Sequence, residues 1–339
     1  MSLTVGREHA PSRRRLLQIF GAAGGLSLAG VLAGRANAEA QLFTWTGTTL
    51  GAESTITLAH TSAEQAQRII DLSVAEVRRL EAIFSLQRND SELSRLNRDG
   101  KLTRPSNDML FLLSEATRFG DLSNGAFDVT VQPLWNLYAE HFKRNPADEL
   151  GPDATAVKNA RALVDYRRIE ANPLFVSLDR RGMGVTLNGI AQGYITDKVS
   201  DLLREHGVSN VLVNLGETRA LGQHPEGRPW AIGLKDPRQP TKTERMIDLA
   251  SNSVATSGGY GTQFDKQGRF HHLFDPRSGR SATHHIGVSI VTPRATAADA
   301  LSTAVYVSAA SETQTILRRA GKATAYVTYP DGSTRTFSA

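Results

Sequence analysis

The sequence predicts an α+β fold, because amphipathic helices and alternating strands follow one another without a regular βαβ rhythm. A strand predicted over residues 54–59 alternates polar and apolar side chains. The helix predicted over 62–84 places its apolar residues at helical spacing. This mixture favours an α+β fold over a doubly wound sheet.

The later elements follow from the same periodicities and from turn residues between them. Gly120 is expected to end the helix over 106–120, and Gly207 suits the cap of the helix over 192–206. The polar stretch 144–156, with two prolines, is a predicted seam between two lobes. Other helices are predicted over 91–97 and 297–309, and strands over 185–187, 211–214, 230–234, 246–249, 286–292 and 324–329.

The first 38 residues are typical of a twin-arginine export peptide. Ser12-Arg13-Arg14-Arg15-Leu16-Leu17-Gln18 precedes a glycine- and alanine-rich apolar stretch, and Ala36-Asn37-Ala38 matches a cleavage site. The alternative is an uncleaved anchor helix, which a short, glycine-broken stretch disfavours. We therefore expect a periplasmic protein (cleaved after Ala38) that the twin-arginine export machinery carries, without stable membrane insertion.

The positive charge is concentrated in this peptide. The whole chain has a formal net charge of +5, and residues 1–38 contribute +4 through five arginines and one glutamate, which leaves +1. The remaining charge of +1 therefore gives no electrostatic support for binding to nucleic acid. The chain has no cysteine, which excludes disulfides and thiolate metal sites.

A glycine turn lies between a predicted strand and a predicted helix, in Asn188-Gly189-Ile190-Ala191-Gln192-Gly193-Tyr194. Glycines let a backbone approach a ligand, and the first turn of a helix offers unpaired N–H groups to a phosphate. The spacing matches neither the dinucleotide fingerprint nor a Walker loop. An ordinary strand-to-helix turn is therefore an equal alternative.

Asp299 and Thr303 lie one turn apart on the helix predicted over 297–309. Carboxylate and hydroxyl oxygens in this arrangement could bind a hard cation such as Mg²⁺. Thr296-Ala297-Ala298-Asp299 also fits a capping box, in which Asp299 reaches back to the start of its own helix. Taken alone, this segment favours the capping box.

Two other segments combine small, aromatic and acidic residues. In Gly125-Ala126-Phe127-Asp128-Val129-Thr130, Phe127 could contact a flat heterocycle and Asp128 could accept its hydrogen bonds, or Phe127 could belong to the core. Ser253-Val254-Ala255-Thr256-Ser257-Gly258-Gly259-Tyr260 could line a phosphate or ring pocket, or form a simple turn.

His272 is the best candidate for acid–base chemistry, because the intrinsic pKa of histidine lies near neutral. A surface histidine beside the turn Asp275-Pro276-Arg277-Ser278-Gly279 is the alternative. The pairs His271-His272 and His284-His285 could suggest zinc. Adjacent strand residues point to opposite faces, which disfavours that interpretation.

The order and spacing of these segments resemble the ApbE family of FAD:protein FMN transferases across nearly the whole chain after the export peptide. The segments that carry the resemblance are Phe84-Ser85, Ser91-Glu92-Leu93-Ser94-Arg95-Leu96-Asn97, Gly125 to Thr130, Gly189 to Tyr194, Asn214-Leu215-Gly216, Ala255 to Gly258, His272 to Gly279 and Asp299-Ala300-Leu301-Ser302-Thr303-Ala304.

The resemblance implies an α+β enzyme whose active site lies between two lobes. It implies an Mg²⁺ site at Asp299, Thr303 and the backbone carbonyl of Ala191, and acid–base work for His272. It also implies transfer of FMN from FAD to a Thr or Ser hydroxyl of an acceptor, the periplasmic segment of a membrane-bound flavoprotein, with release of AMP. The residues implied to bind FAD are Ala126, Phe127, Asp128, Asn188, Gln192, Tyr194, Ser257, Gly258 and Leu273.

The sequence departs from the family pattern at several positions. Gln192 replaces the usual lysine of the glycine turn, Asn188 replaces an acid, and Glu217 stands where a second glycine is common. Leu50-Gly51-Ala52 and Leu86-Gln87 depart as well. The chain is similar to the branch of exported accessory flavoproteins of nitrous oxide respiration. The alternatives to a transferase are a non-catalytic FAD or FMN carrier and a FAD pyrophosphatase.

Overall fold

The computed structural model describes residues 40–339, and the predicted export peptide lies outside them. No helix in the described range is both long and apolar enough to cross a membrane. The helices are α1 Ala63–Phe84, α2 Glu92–Asp99, α3 Asn107–Leu122, α4 Gln132–Arg144, α5 Ala154–Arg161, α6 Ala191–Glu205, α7 Ala295–Val307 and α8 Thr313–Ala320. The strands are β1 Gln41–Thr49, β2 Ala52–His60, β3 Lys101–Thr103, β4 Ile169–Ala171, β5 Phe175–Leu178, β6 Val211–Asn214, β7 Thr218–Leu221, β8 Trp230–Asp236, β9 Gln239–Leu249, β10 Ser253–Ser257, β11 Phe274–Asp275, β12 Arg280–Ser281, β13 Gly287–Thr292, β14 Thr324–Thr328 and β15 Thr334–Ser338.

An eight-stranded sheet forms the centre of the molecule, in the order β1-β2-β6-β7-β10-β13-β14-β15. Every neighbouring pair in it is antiparallel. A three-stranded sheet, β3-β5-β4, and the pairs β8–β9 and β11–β12 complete the strands of the described range. The α+β prediction is confirmed. The seam proposed at 144–156 corresponds to the connection from α4 to α5 and stays a prediction.

The central strands place alternate side chains in two apolar layers, as the two-residue period of a strand requires. Val213 and Ile290 face the main core, which contains the apolar sides of α1, α6 and α7. Val254 and Val291 face the opposite layer, where they pack with Trp230 of the β8–β9 hairpin. The hairpin therefore covers one face of the sheet, and the helices cover the other.

A separate aromatic cluster holds α4 against the segment that precedes β11. Leu134, Tyr138 and Phe142 repeat every four residues along α4, although the sequence analysis did not predict this helix. The Tyr138 ring lies 4.9 Å from that of Phe274, and the Phe142 ring stacks 6.4 Å from that of Phe264. The cluster anchors the chain on both sides of the predicted base, His272.

Helix α1 begins within one residue of its predicted start, whereas α3 ends two residues later than predicted. Ser62, where the predicted helix begins, caps α1, because its hydroxyl accepts a hydrogen bond from the Gln65 amide (3.4 Å). Helix α3, in contrast, continues past Gly120 to Leu122. A Cβ at Gly120 would lie 2.7 Å from the Tyr166 ring, so this glycine serves packing rather than termination.

The strand predicted over 185–187 is wrong, because an asparagine takes the place of a neighbouring strand. The Asn97 amide donates to the Val185 carbonyl (2.7 Å), and the Val185 N–H donates to the Asn97 side-chain oxygen (2.7 Å). The backbone groups are thereby satisfied without a β-ladder. The segment runs extended and irregular into the turn before α6.

Helices α6 and α7 cap each other's first turn. The Asp299 carboxylate of α7 accepts a hydrogen bond from the Gly193 amide of α6 (3.0 Å). The Asp197 carboxylate of α6 accepts bonds from the amides of Ala295 (3.0 Å) and Thr296 (2.9 Å) and from the Thr296 hydroxyl (2.7 Å). The capping box is therefore wrong: α7 begins at Ala295, which places Thr296 inside the helix, and Asp299 caps a different helix.

This exchange requires glycine at position 193. A Cβ there would lie 2.3 Å from the Ala295 carbonyl oxygen and 2.8 Å from Asp299 Cβ. Neither group can rotate away, because one is backbone and the other is the first side-chain carbon. The close approach of the two helices therefore depends on a residue without a side chain.

Asp197 is fully buried and paired with cations. Its carboxylate lies 2.8 Å from the buried Arg219 guanidinium and 3.2 Å from that of Arg294. Both arginines also pair with Asp201. A buried carboxylate is tolerated when its charge and its hydrogen-bond capacity are both met, as they are here.

We expect Asp197→Ala to lower the free energy of unfolding by about 3–5 kcal/mol, because it leaves buried Arg219 without its closest partner and the start of α7 without its cap. Urea denaturation measures the change. Asp179→Ala serves as the control: it removes an exposed pair with Arg168 and should cost less than about 1 kcal/mol. Equal losses for the two variants would contradict the structural role of Asp197.

Candidate functional site

One stripe of α7 carries three polar side chains toward different parts of the fold. Asp299, Thr303 and Tyr306 follow at helical spacing on one side of the helix. Asp299 contacts the first turn of α6, and Thr303 contacts the end of β10. The Tyr306 hydroxyl accepts a hydrogen bond from the Gly259 amide (3.2 Å). The stripe therefore joins the glycine turn over 188–194 to the segment of small residues over 253–260, and the Tyr306 ring also lies 5.8 Å from that of His271.

Asp299 has one committed carboxylate oxygen and one available one. The side chain is 3 % exposed, and Oδ2 accepts the bond from Gly193. Within residues 40–339, Oδ1 accepts no hydrogen bond and no basic side chain forms an ion pair with this carboxylate. Burial raises the pKa of Asp299 to about 7, against the opposing effect of the Gly193 amide. A cation at Oδ1 would stabilise the charged form.

A chain of hydroxyl groups leads from Thr303 to the backbone of Asp299. The Ser302 hydroxyl donates to the Asp299 carbonyl (2.9 Å), so the Ser257 hydroxyl must donate across its 2.7 Å contact with Ser302. Thr303 then donates to Ser257 across 3.2 Å. The Thr303 hydroxyl proton is therefore used in the bond to Ser257, and the lone pairs of its oxygen remain free to coordinate a cation.

The glycine turn before α6 passes between Thr303 and Phe127. A Cβ at Gly189 would lie 3.0 Å from Thr303 Oγ1 and 3.4 Å from the Phe127 ring. Phe127 and Ala126 are buried, and the Phe127 ring packs edge-on against Phe119. The structure therefore brings together the glycine turn, the hydroxyl of the predicted metal site and one residue predicted to bind flavin.

Asp128, another residue predicted to bind FAD, has both carboxylate oxygens engaged within the protein. Oδ1 accepts bonds from the amide and hydroxyl of Thr130, and Oδ2 accepts one from the Tyr166 amide (3.1 Å). Burial raises the pKa of Asp128, and these three bonds oppose that effect. Asp128 therefore shapes the loop that presents Phe127.

The other residues predicted to bind FAD, in and just before the first turn of α6, point in different directions. The Tyr194 hydroxyl donates to Asp108 (2.6 Å), and its ring lies 5.7 Å from Phe84, between α6 and α1. Gln192 lies against the turn after β6, because a Cβ at Gly216 would fall 2.5 Å from its side-chain amide. Asn188 is exposed beside the glycine turn.

His272 is half-buried and held in one tautomer. Its Nδ1 lies 3.2 Å from the Thr262 carbonyl oxygen, so Nδ1 must carry the proton and Nε2 presents a lone pair. Burial lowers the pKa of His272, against the effect of the Thr262 carbonyl. The imidazole is therefore neutral near pH 7 and able to accept a proton. The neighbouring Leu273 is buried in the main core.

Two other histidines of these pairs, His271 and His285, serve the fold. His271 is buried, donates from Nε2 to the Ala282 carbonyl (2.9 Å), and has its pKa lowered by burial to about 4. His285 is also buried, and its Nδ1 lies 3.0 Å from the Tyr306 carbonyl. In the described part of the chain, no three His, Asp or Glu side chains gather as a metal-ligand cluster. Any cation at α7 would rely on hydroxyl, carbonyl or paired carboxylate oxygens.

The sequence analysis missed a contribution from Glu217, which it noted only as a departure from the family pattern. Burial raises the pKa of the Glu217 carboxyl well above its usual range, and the charge of Asp299 raises it further, so the two acids lie within electrostatic range of each other. No local pattern indicates this proximity, because the two residues belong to distant segments.

Comparisons with known proteins match most of the chain. The ApbE family model matches residues 50–327. A FAD:protein FMN transferase of Haemophilus influenzae is 33 % identical over 236 residues, covering 67 % of this chain and 68 % of the relative. A FAD:protein FMN transferase of Treponema pallidum is 32 % identical over 276 residues, covering 75 % of each.

Solved structures of related proteins share the fold. The apo flavinyl transferase ApbE of Pseudomonas stutzeri superposes with a TM-score of 0.75 at 28 % identity, covering 88 % of this chain and 95 % of that one. The ApbE protein of Thermotoga maritima gives a TM-score of 0.76 at 26 % identity, covering 88 % and 97 %.

We expect the His272 imidazole to titrate below its ordinary pKa of 6.5 and to carry its proton on Nδ1 when neutral. Long-range ¹H–¹⁵N spectra over pH 5 to 8 measure both properties, and His272→Gln identifies the resonance. The fraction protonated should rise only as the pH falls below 6.5, because burial disfavours the charged ring. A pKa above 6.5, or a neutral Nε2–H tautomer, would contradict the geometry.

Proposed function

Since the chain belongs to the ApbE family, we propose that it transfers FMN from FAD to a Ser or Thr hydroxyl of an acceptor protein and releases AMP. The observation that carries this proposal is the α7 stripe. It sets a free carboxylate oxygen of Asp299 and free lone pairs of Thr303 against the glycine turn at the start of α6. Such a site suits a pyrophosphate that arrives with a divalent cation.

FAD is the substrate, and its two ends would meet different surfaces. The turn at Gly189 allows a close approach of the backbone, and the first turn of α6 offers N–H groups and a positive helix end to phosphate oxygens. Phe127, beside this turn, would offer an apolar ring to the isoalloxazine. Ser257 borders the same region, because its hydroxyl contacts Thr303, and Gly258 follows it in the chain. Leu273, which is buried in the main core, would be a further contact of the flavin.

The donor set suits Mg²⁺, which prefers oxygen ligands. Asp299 Oδ1, Thr303 Oγ1 and the Ala191 carbonyl would hold the ion. When bound, it would supply charge neutralisation for the pyrophosphate. The raised pKa of the Asp299 carboxyl is consistent with this role, since a buried acid without a basic partner is expensive to ionise unless a cation accompanies it.

The transfer step needs only groups that this chain and the two substrates supply. The acceptor hydroxyl oxygen bonds to the phosphorus of the FMN half, and the bond from that phosphorus to the bridging oxygen breaks. AMP leaves with the bonding electron pair. His272 Nε2 takes the hydroxyl proton, because Nδ1 is already protonated toward the Thr262 carbonyl. The orienting contacts of the site supply proximity, which accounts for much of the acceleration in phosphoryl transfer.

One observation favours a second candidate, a carrier that holds FAD or FMN without transferring it. Gln192 gives the first turn of α6 no positive charge, and its side chain packs against Gly216. A neutral side chain stabilises developing charge on a phosphate less than a cation does. A FAD pyrophosphatase is the remaining alternative, and all three are distinguished by their products.

We expect the protein, incubated with FAD, Mg²⁺ and a candidate acceptor domain, to add one FMN to that acceptor and release AMP. Intact mass spectrometry measures the addition, and chromatography measures AMP. EDTA or Asp299→Asn should reduce the rate by at least about 100-fold, the scale on which single electrostatic contacts act in catalysis. Asp331→Asn is the matched control, because Asp331 is a carboxylate in an exposed turn.

An unmodified acceptor together with FAD retained by the protein would establish the carrier instead. Free FMN with AMP and an unmodified acceptor would establish the pyrophosphatase. Full transfer by Asp299→Asn in the presence of EDTA would contradict the metal site while leaving the transferase activity intact.

We also propose that the acceptor is the periplasmic segment of a membrane-bound flavoprotein, and that the enzyme reaches it through the twin-arginine route. The sequence Arg13-Arg14 ahead of a weakly apolar stretch supports this. Arg13→Lys with Arg14→Lys should retain an uncleaved protein in the cytoplasm, as measured by fractionation and immunoblotting. An unchanged periplasmic yield would contradict the export route.

A further inference from the structure

A glycine-rich turn, residues 258–261, connects β10 to the segment that contains the predicted base. Three of its four residues are glycines, Gly258, Gly259 and Gly261. Glycine has more conformational freedom than any other residue, so ordering such a segment costs much backbone entropy. The bond from the Gly261 amide to the Gly258 carbonyl (3.1 Å) closes the turn on itself and does not fix it to the rest of the protein. The position of the turn therefore depends on contacts from other elements.

Tyr306 of α7 makes such a contact. Its hydroxyl accepts a hydrogen bond from the Gly259 amide (3.2 Å), and both residues are buried. Within residues 40–339, no other side chain forms a hydrogen bond to the backbone of Gly259–Gly261. A buried amide without a partner is unfavourable, so the turn is held where this hydroxyl can reach it.

His271 contacts the same glycine. A Cβ at Gly259 would lie 2.7 Å from the His271 ring, so only a residue without a side chain fits there. The ring cannot move away easily, because its Nε2 donates to the Ala282 carbonyl (2.9 Å) and its Nδ1 accepts from the Leu273 amide (3.3 Å). Gly259 therefore has a tyrosine hydroxyl and a fixed imidazole as neighbours.

The turn leads directly into Thr262, whose carbonyl orients the His272 imidazole. This carbonyl accepts a bond from the His272 amide (3.1 Å), and the ring Nδ1 lies 3.2 Å from it. The ring also lies against the turn, because a Cβ at Gly261 would fall 3.2 Å from its Cε1. A shift of the turn would therefore move the imidazole or break the bond at Nδ1.

Helix α7 thus reaches two parts of the proposed chemistry from one side. Asp299 and Thr303 carry the oxygens proposed to hold the cation, and Tyr306 tethers the turn that precedes the base. A helix rises 1.5 Å per residue, which sets Asp299 and Tyr306 about 10 Å apart along the axis. One rigid element therefore sets the spacing between the cation donors and the tether of the base.

We propose that Tyr306 is a positioning residue for the transfer reaction. Its hydroxyl holds the turn over 258–261, and through the Thr262 carbonyl it keeps the His272 imidazole in the Nδ1–H tautomer with Nε2 directed at the acceptor hydroxyl. The catalytic part of this inference rests on the proposed function, whereas the orientation of His272 can be measured without any substrate.

The first test is spectroscopic and uses the purified protein without FAD. In the parent protein we expect slow hydrogen exchange at the Gly259 amide, because that amide is buried and bonded. Tyr306→Phe retains the ring and removes the hydroxyl. It should speed this exchange and give His272 a detectable population of the Nε2–H tautomer in long-range ¹H–¹⁵N spectra. Tyr166→Phe is the control: it removes the hydroxyl of another buried tyrosine, bonded to Asp121 (2.6 Å), and should leave the His272 tautomer unchanged.

The second test is kinetic. We expect Tyr306→Phe to lower kcat for FMN transfer by on the order of tenfold, a part of the roughly 100- to 10,000-fold that a positioned base contributes. KM for FAD should stay unchanged, because the lost contact orients the base and does not bind the substrate. A general loss of packing would not separate kcat from KM in this way and would not change the tautomer.

A folded Tyr306→Phe protein with the parent's tautomer and kcat would overturn the proposal. Rapid exchange at the Gly259 amide of the parent protein would overturn it as well, whether or not the variant folds, since the tether would then be absent. If the parent protein transfers no FMN, the proposed function fails, and the tautomer comparison still decides whether Tyr306 orients His272.

Discussion

The exchange of carboxylate caps between α6 and α7 is the contact on which the geometry of the candidate site depends. The start of each helix has amides that its own helix cannot satisfy, and an acid on the other helix accepts their hydrogen bonds. Because the amides and acids belong to the same two elements, neither helix can shift alone without losing bonds at both ends of the exchange. The glycine turn and the α7 stripe are thereby held in a fixed relation.

The two acids of this exchange share their burial and differ in their charge partners. Asp197 is paired with Arg219 and Arg294, so its charge is balanced inside the protein. Asp299 makes a single amide bond and keeps one oxygen free. Asp197 therefore has its charge balanced by the protein, whereas Asp299 has an oxygen left for the cation that we propose. The same few residues can thereby serve both a structural contact and the proposed binding site.

The sequence predicted the fold class and many elements because their signals are local. The spacing of apolar residues in α1 and the hydroxyl of Ser62 lie within a few residues of the structure that they specify. The periodicity of Leu134, Tyr138 and Phe142 was equally local, so α4 could have been predicted. The failures came from partners far along the chain. Asn97 pairs with a backbone 88 residues away, and Asp299 caps an amide 106 residues away.

The same distinction applies to the site. Asp299 and Thr303 are one helical turn apart, so their shared face followed from spacing, and the family resemblance selected the metal-binding interpretation over the capping box. The proximity of Glu217 to Asp299 depends on how the β6–β7 turn docks on α6, which no local pattern contains. The free nitrogen of His272 likewise depends on the Thr262 carbonyl ten residues away.

The absence of a side chain at Gly193 has a consequence for the entropy of ligand binding. Backbone of one helix rests on backbone of the other there, with no rotatable group between them. The separation between the anion-facing end of α6 and the carboxylate of α7 is therefore set when the chain folds, before any ligand is present. A ligand then finds its binding groups already ordered and loses little affinity to their immobilisation. A hydrogen atom in place of a methyl group thus preorganises the site.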